Sequence, residues 1–204
     1  MRSDLTNDIV RLTIEHLSLV GISMAIAVAL GIPLGILIAR TPAARWVLGL
    51  SSIVQTIPSL ALFGFLIPIP IIGGIGTRTV IVALVLYGLL PILRNTFVGI
   101  LGVDSAVCDS AVAMGMTSGQ LLRQVQLPLA ARTIIAGIRV ATVTTVGTAT
   151  IAAAIGGGGL AVFIFRGVAS VDTTEILAGA IPAALMALLF DGGLGWLERK
   201  FSVV

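Results

Sequence analysis

The sequence predicts an all-α integral membrane protein, and three observations carry that prediction. Hydrophobic residues make up 57% and charged residues 10% of the 204 positions, whereas a soluble domain holds about 25% charged residues. The mean hydropathy is +1.15. The charges also gather between long uncharged runs, the pattern of apolar crossings joined by aqueous loops. A net charge of +3, dispersed rather than patched, argues against nucleic acid as a partner. Cys108 is the single cysteine, so no intrachain disulfide or cysteine-based metal site can form. His16 is the single histidine and lacks a second His or a carboxylate cluster, so neither a metal site nor a proton relay is expected there.

Taken in order, residues 1–16 mix Arg2 and Arg11 with Asp4, Asp8 and Glu15. Leu5, Ile9 and Leu12 fall at helical spacing, which predicts a short amphipathic helix lying on the outer membrane surface. The mixed charge and the length of the following apolar run argue against a cleaved signal peptide. Residues 17–39 are uncharged and long enough for a first span, since about 20 helical residues cross the hydrocarbon core. Arg40, Pro42 and Arg45 form a short basic loop. A second span is placed at 46–66, ending where Pro68, Pro70, Gly73, Gly74 and Gly76 interrupt any helix. The third, 79–93, is short and needs Arg78 and Arg94 to snorkel to the two interfaces. A polar segment, 104–128, follows.

Residues 133–155 make a fourth span containing Arg139, and Gly156 to Gly159 stop it. The stretch 160–170 is short and interrupted by Arg166 and Gly167. The last span, 175–197, carries Pro182 and Asp191, and 199–204 form a tail. The prediction is five spans, or six if the 160s segment crosses. Arg40, Arg45, Arg94, Arg123, Arg132, Arg199 and Lys200 fall on one side; Arg78, Arg166, Arg2 and Arg11 fall on the other. Seven against four favours a cytoplasmic polar segment and C-terminus, with the N-terminus outside.

Self-contained ATP hydrolysis is excluded. A P-loop needs a lysine after its glycines to reach the phosphates, and the only lysine is Lys200. An ion-driven carrier needs ionisable or cation-coordinating groups near the bilayer midplane. Arg139, Asp191 and Glu198 instead lie toward the cytoplasmic ends of their spans, where Arg139 and Asp191 read as a structural charge pair.

Energy must then enter from a partner, and the polar segment offers the place. It reads Asp109-Ser110-Ala111, then Gly115 and Met116, then Val125-Gln126-Leu127-Pro128. Gly115 permits a turn with positive φ between two short helices. Pro128 suits the first turn of the next helix, where its missing N–H costs nothing. Small residues at Ser110, Ala111 and Ala113 allow a partner to approach closely.

This spacing resembles the EAA loop of binding-protein-dependent ABC importer permeases, with Asp for Glu, Ser for Ala and Val for Ile as departures. Residues 55–62 (Gln-Thr-Ile-Pro-Ser-Leu-Ala-Leu), 90–96 (Leu-Pro-Ile-Leu-Arg-Asn-Thr), 136–139 and 179–183 resemble the osmoprotectant branch of that family. The likeness extends from about Gly31 to Glu198. It implies a multi-pass subunit of a bacterial or archaeal cytoplasmic (inner) membrane, paired with a second permease subunit as a homodimer or heterodimer. It also implies a cytoplasmic ATPase dimer holding ATP and Mg, and a separate extracytoplasmic binding protein. No cofactor is expected on this chain. Asp109, Ser110, Ala111, Gly115, Met116, Leu127 and Pro128 would couple it to the ATPase.

Two polar groups are candidates to line a pathway: Gln55, Thr56 and Ser59 around Pro58, and Thr144, Thr145 and Thr148 in the fourth span. Alternatively these hydroxyls satisfy backbone carbonyls or join helices. The seven Phe, two Trp and one Tyr show no evident cluster, although aromatic cages hold quaternary ammonium ligands best. Betaine, choline, carnitine or proline-type selectivity is therefore expected in the binding protein. An amino-acid cargo or another trimethylammonium compound is the alternative, and an ATPase-independent channel or secondary carrier is the third reading.

Overall fold

The computed structural model describes residues 2–42, 44–70 and 72–201, and among these the chain is helical with no strand. The helices are α1 (Arg2–Ala39), α2 (Ala44–Thr56), α3 (Ser59–Leu66), α4 (Thr77–Leu101), α5 (Ser105–Ala113), α6 (Ser118–Gln120), α7 (Leu127–Ala149), α8 (Ala161–Ser170) and α9 (Thr173–Lys200). A π-helical turn, Leu121–Gln126, joins α6 to α7, and a 3-10 turn, Ala152–Ile155, follows α7. Four unbroken helical runs are long and apolar enough to cross a membrane. They are Thr6–Ala39, Thr77–Leu101, Ser118–Ala149 and Thr173–Lys200. A bent pair, Trp46–Thr56 with Ser59–Leu66, whose axes differ by 102°, is a broken span or a re-entrant loop, which makes the crossings four or five. The ten-residue α8 reaches about 15 Å, half the thickness of a hydrocarbon core, so the 160s segment does not supply a sixth.

Several boundaries differ from the sequence-based placement. No break separates residues 1–16 from the first span, because α1 is continuous from Arg2. Two residues of the expected surface stripe instead pack inward, Leu12 being buried and Ile9 lying against the core, while the side chain of Leu5 lies outside the described residues. His16 is also fully buried, with its Nε2 3.3 Å from the carbonyl oxygen of Val146. That carbonyl belongs to the last turn of α7, where helix geometry leaves carbonyls without partners. Glu15 accepts the Gly159 N–H at 3.2 Å, so the N-terminal turns of α1 tie down the glycine loop.

The third span continues past Leu93 to Leu101, through Pro91 and Arg94. The fourth starts earlier and stops earlier than 133–155, running from Ser118 through the π-helical turn and ending at Ala149. Residues 202–204 of the expected tail lie outside the described residues.

Helix α4 is the centre. It packs against α1 on one side and α7 on the other, while α9 lies outside α7 with α8 against it. Between α1 and α4 the close approach depends on Gly31 and Gly35, one turn apart. A Cβ on Gly35 would fall 2.6 Å from Thr96 Cβ, and one on Gly31 would fall 2.8 Å from a methyl of Ile92. Without a hydrophobic drive between helices in lipid, such small residues let dispersion contacts hold a bundle together. The main core gathers Val20, Met24, Phe63, Val80, Leu84, Ile92, Val146 and Phe163.

Candidate functional site

The polar segment is built by local rules that can be traced residue by residue. Asp104 caps α5, its carboxylate accepting the Ala106 N–H at 2.9 Å. The helix closes with the two crossed hydrogen bonds of a Schellman motif. Met116 N–H donates to Ala111 O at 3.2 Å and Gly115 N–H to Val112 O at 2.9 Å. Gly115 has φ +87°, a conformation that glycine adopts without steric cost.

Thr117 then opens the next helix through a capping box. Its N–H donates to Gln120 Oε1 at 2.8 Å while its own hydroxyl oxygen accepts the Gln120 N–H at 3.4 Å. The Thr-x-x-Gln spacing is a legible start signal that the sequence reading did not use. Arg40 at the end of α1 donates to the Ser118 carbonyl at 3.1 Å, anchoring this corner to the bundle.

The second helix is not short. It continues through the π-helical turn into α7, whose first turn holds Pro128 as expected. A proline has no N–H to donate four residues back. The ladder here slips by one residue, Leu127 N–H bonding Leu122 O, and the helix carries on. The second helix of the segment and the fourth span are therefore one continuous helical run.

The candidate coupling residues divide into two sets. Asp109, Ser110, Gly115 and Pro128 are exposed, and Ser110 donates back to Ala106 O at 2.7 Å. Ala111 is buried, Met116 and Leu127 are half-buried, and Leu127 packs on Ile100, Ala130 and Ile134. Sequence reasoning missed the apolar knobs beside them. Val107, Val112 and Met114 stand exposed on α5, Met114 at 74%. Apolar side chains presented by a segment whose backbone is already satisfied make a ready contact surface for another protein.

The two groups of candidate pathway residues do not converge. Thr145 is fully buried and its hydroxyl lies 3.5 Å from Met24 Sδ. Thr144 is exposed but donates to the Val140 carbonyl at 2.8 Å, and Thr148 is half-buried. Thr56 donates to Ile53 O at 2.7 Å, Ser59 is half-buried, and Gln55 Nε2 donates to the Tyr87 carbonyl at 3.3 Å. Three of the six, Gln55, Thr56 and Thr144, satisfy protein carbonyls, and an unpaired carbonyl is costly where water is absent.

Arg139 on α7 meets Asp191 on α9 in a two-pronged pair, Nε to Oδ1 and Nη2 to Oδ2 both at 2.7 Å. Its Nη1 donates to Glu198 at 3.2 Å, and Arg132 lies 3.9 Å from the same carboxylate. The planar guanidinium matches a carboxylate in this way and an ammonium does not. These groups and Thr144 line an open groove of about 450 Å³. Among the described residues no group of three or more His, Cys, Asp or Glu is placed to hold a metal ion.

Comparison with known proteins agrees with this architecture. The profile of the family described as "Binding-protein-dependent transport system inner membrane component" matches residues 31–203. Carnitine transport permease protein OpuCD of Listeria monocytogenes is 47% identical over 192 residues, spanning 93% of this chain and 85% of that protein. Glycine betaine/carnitine/choline transport system permease protein OpuCD of Bacillus subtilis is 48% identical over 180 residues, 87% of this chain and 77% of that protein. A chain of the inward-facing MetNI methionine ABC transporter superposes with a TM-score of 0.88 at 22% identity, covering 98% of this chain and 99% of that one. Several apolar spans, a central α4 packed between α1 and α7, and a sequence match over most of its length place the chain in the family of inner-membrane permease components of binding-protein-dependent ABC transport systems.

Proposed function

We propose that this chain is the membrane-spanning subunit of an ATP-driven importer for a small osmoprotectant such as glycine betaine, choline, carnitine or proline betaine. The observation that carries the cargo is the near-half identity, over most of the chain, to permeases named for carnitine and for glycine betaine, carnitine and choline. An external binding protein delivers the osmolyte, and a second permease subunit completes the pathway. A cytoplasmic ATPase dimer carries ATP and Mg. The residue 104–128 segment faces the cytoplasm with the C-terminus, and the N-terminus lies outside.

The geometry supports a coupling role for Asp109, Ser110, Ala111, Gly115, Met116, Leu127 and Pro128. The exposed apolar residues on and just after α5 supply contact, and the helix that follows the Gly115 turn runs continuously from Ser118 to Ala149, which links this corner to the span. Coupling requires that the ATPase touch this surface differently in its two states. Thr144, with the Arg139–Asp191 groove beside it, is the polar wall that fits a pathway role best, because it is exposed at the α7–α9 seam. Thr145, being buried, serves helix packing.

The test is ATP hydrolysis by the reconstituted complex with its binding protein, scanning betaine, choline, carnitine and proline. Stimulation by trimethylammonium compounds is expected. Stimulation by an unrelated amino acid alone would replace the cargo. A chain that never associates with an ATPase, and that transports after residues 115–122 are removed, would replace the mechanism.

A further inference from the structure

Two breaks in helical hydrogen bonding, at Pro91 in α4 and at the Ile57–Pro58 elbow, lie against each other. Pro91 has no N–H to offer the carbonyl of Tyr87, four residues earlier in α4. Gln55 at the end of α2 donates its Nε2–H to that same carbonyl at 3.3 Å. Conversely, α3 starts only at Ser59, with Leu62 N–H bonding Pro58 O as its first turn. The Ile57 carbonyl at the elbow therefore lacks a helical donor, and the hydroxyl of Tyr87 donates to it. Each helix thus repairs the other's interruption with one side chain. Gln55 and Ile57 belong to the stretch 55–62, and Pro91 to the stretch 90–96, two of the four that carry the likeness to the osmoprotectant branch.

The two arms of the elbow are held very differently. α3 buries Leu62, Phe63 and Leu66 in the core. No described side chain of α2 is buried, and Trp46, Leu50 and Ile53 are 76%, 65% and 59% exposed. The 102° bend lies between them at Ile57–Pro58. α3 is the anchor and α2 the arm, with Gln55 at the arm's inner end.

We infer that Gln55 and Tyr87 form a reciprocal latch that sets the position of α2 during transport. They are positioning residues for α2, and Gln55 is not a cargo ligand in this conformation. Swinging α2 away exposes one amide, one hydroxyl and two carbonyls together, so opening exchanges two internal hydrogen bonds for water. Such an exchange is close to balanced, which is what a two-state element needs. The inference rests on the importer reading for its functional consequence, though not for its geometry.

The experiment uses the full reconstituted complex in a Cys108→Ser background, with spin labels at Ile53→Cys on α2 and Leu101→Cys on α4, both exposed. Tyr87→Phe removes only the hydroxyl, and Gln55→Glu keeps the length while removing the donor. In nucleotide-free complex each variant is expected to broaden or shift the label distance, and to change the ratio of binding-protein-stimulated to basal ATPase by about threefold to tenfold, the scale of one lost hydrogen bond. The double variant is expected to fall short of the product of the two single effects, since the residues act as one unit. Unchanged distances in both single variants would overturn the latch, as would fully multiplicative effects in the double variant. A lowered melting temperature with distance and ratio intact would reduce the pair to a structural joint. If the unmutated complex shows no stimulation at all, the importer reading fails, while the distance measurement still decides the latch.

Discussion

Two regions of this membrane protein carry its polar chemistry, and they satisfy it in opposite ways. The corner at residues 104–120 closes locally. Asp104, Thr117 and Gln120 cap helices within a few residues of themselves, and Gly115 ends α5 through backbone bonds. Its outward side chains are left uncommitted. The Arg139 cluster closes only in the tertiary structure, since its partners lie 52 and 59 residues away on α9. A surface meant to be gripped by another protein gains from the first arrangement, and a seam that must not open gains from the second.

Mutations can break that contrast, and their expected effects on stability descend in order. Arg139→Ala leaves Asp191 on α9 without its cation and leaves Glu198, on the same helix, with Arg132 alone at 3.9 Å. The largest loss is expected here, seen as several-fold lower yield of folded protein and the lowest melting temperature in detergent. Arg139→Lys, lacking the planar fork, is expected to recover only part of it. Gly35→Val comes next, because its side chain would enter Thr96. A cost of about 1–3 kcal/mol is expected from overpacking, read by thermal denaturation in detergent.

The locally closed corner is expected to respond more weakly in stability and more strongly in partnership. Gly115→Val forces a β-branched residue to φ +87°, costing roughly 1–2 kcal/mol and misaiming α5. ATPase stimulation is expected to fall more than melting temperature does. Thr117→Ala removes a cap at about 1 kcal/mol. Met114→Glu together with Val112→Glu is expected to change stability by under about 0.5 kcal/mol, yet abolish co-purification of the ATPase. If that double variant retained the ATPase, the contact surface would have to lie elsewhere on the segment.

The site was partly legible before the fold was known. Gly115 announced its turn, because only glycine adopts such a φ freely. The Thr117-x-x-Gln120 box was equally readable and was overlooked. That Val107, Val112 and Met114 remain exposed was not readable, since apolar residues on a short helix ordinarily face inward and only the surrounding packing shows which face is covered. The six pathway candidates were chosen by spacing along single helices. Thr145 turned out to face Met24 on α1 and Thr144 the α9 seam, a difference set by neighbours that spacing does not contain.

Hydropathy and charge placement by themselves determined that the chain is helical with four or five apolar spans. These are properties of composition along one dimension, and a bilayer reads composition directly. Only the tertiary structure decided where the helices end. Val146 finds His16 as α7 closes, and Gln55 meets the Tyr87 carbonyl that Pro91 leaves free within α4. In each case the deciding event is a backbone group meeting a donor or acceptor from a distant part of the chain, and in lipid that match fixes where a helix can stop, bend or continue.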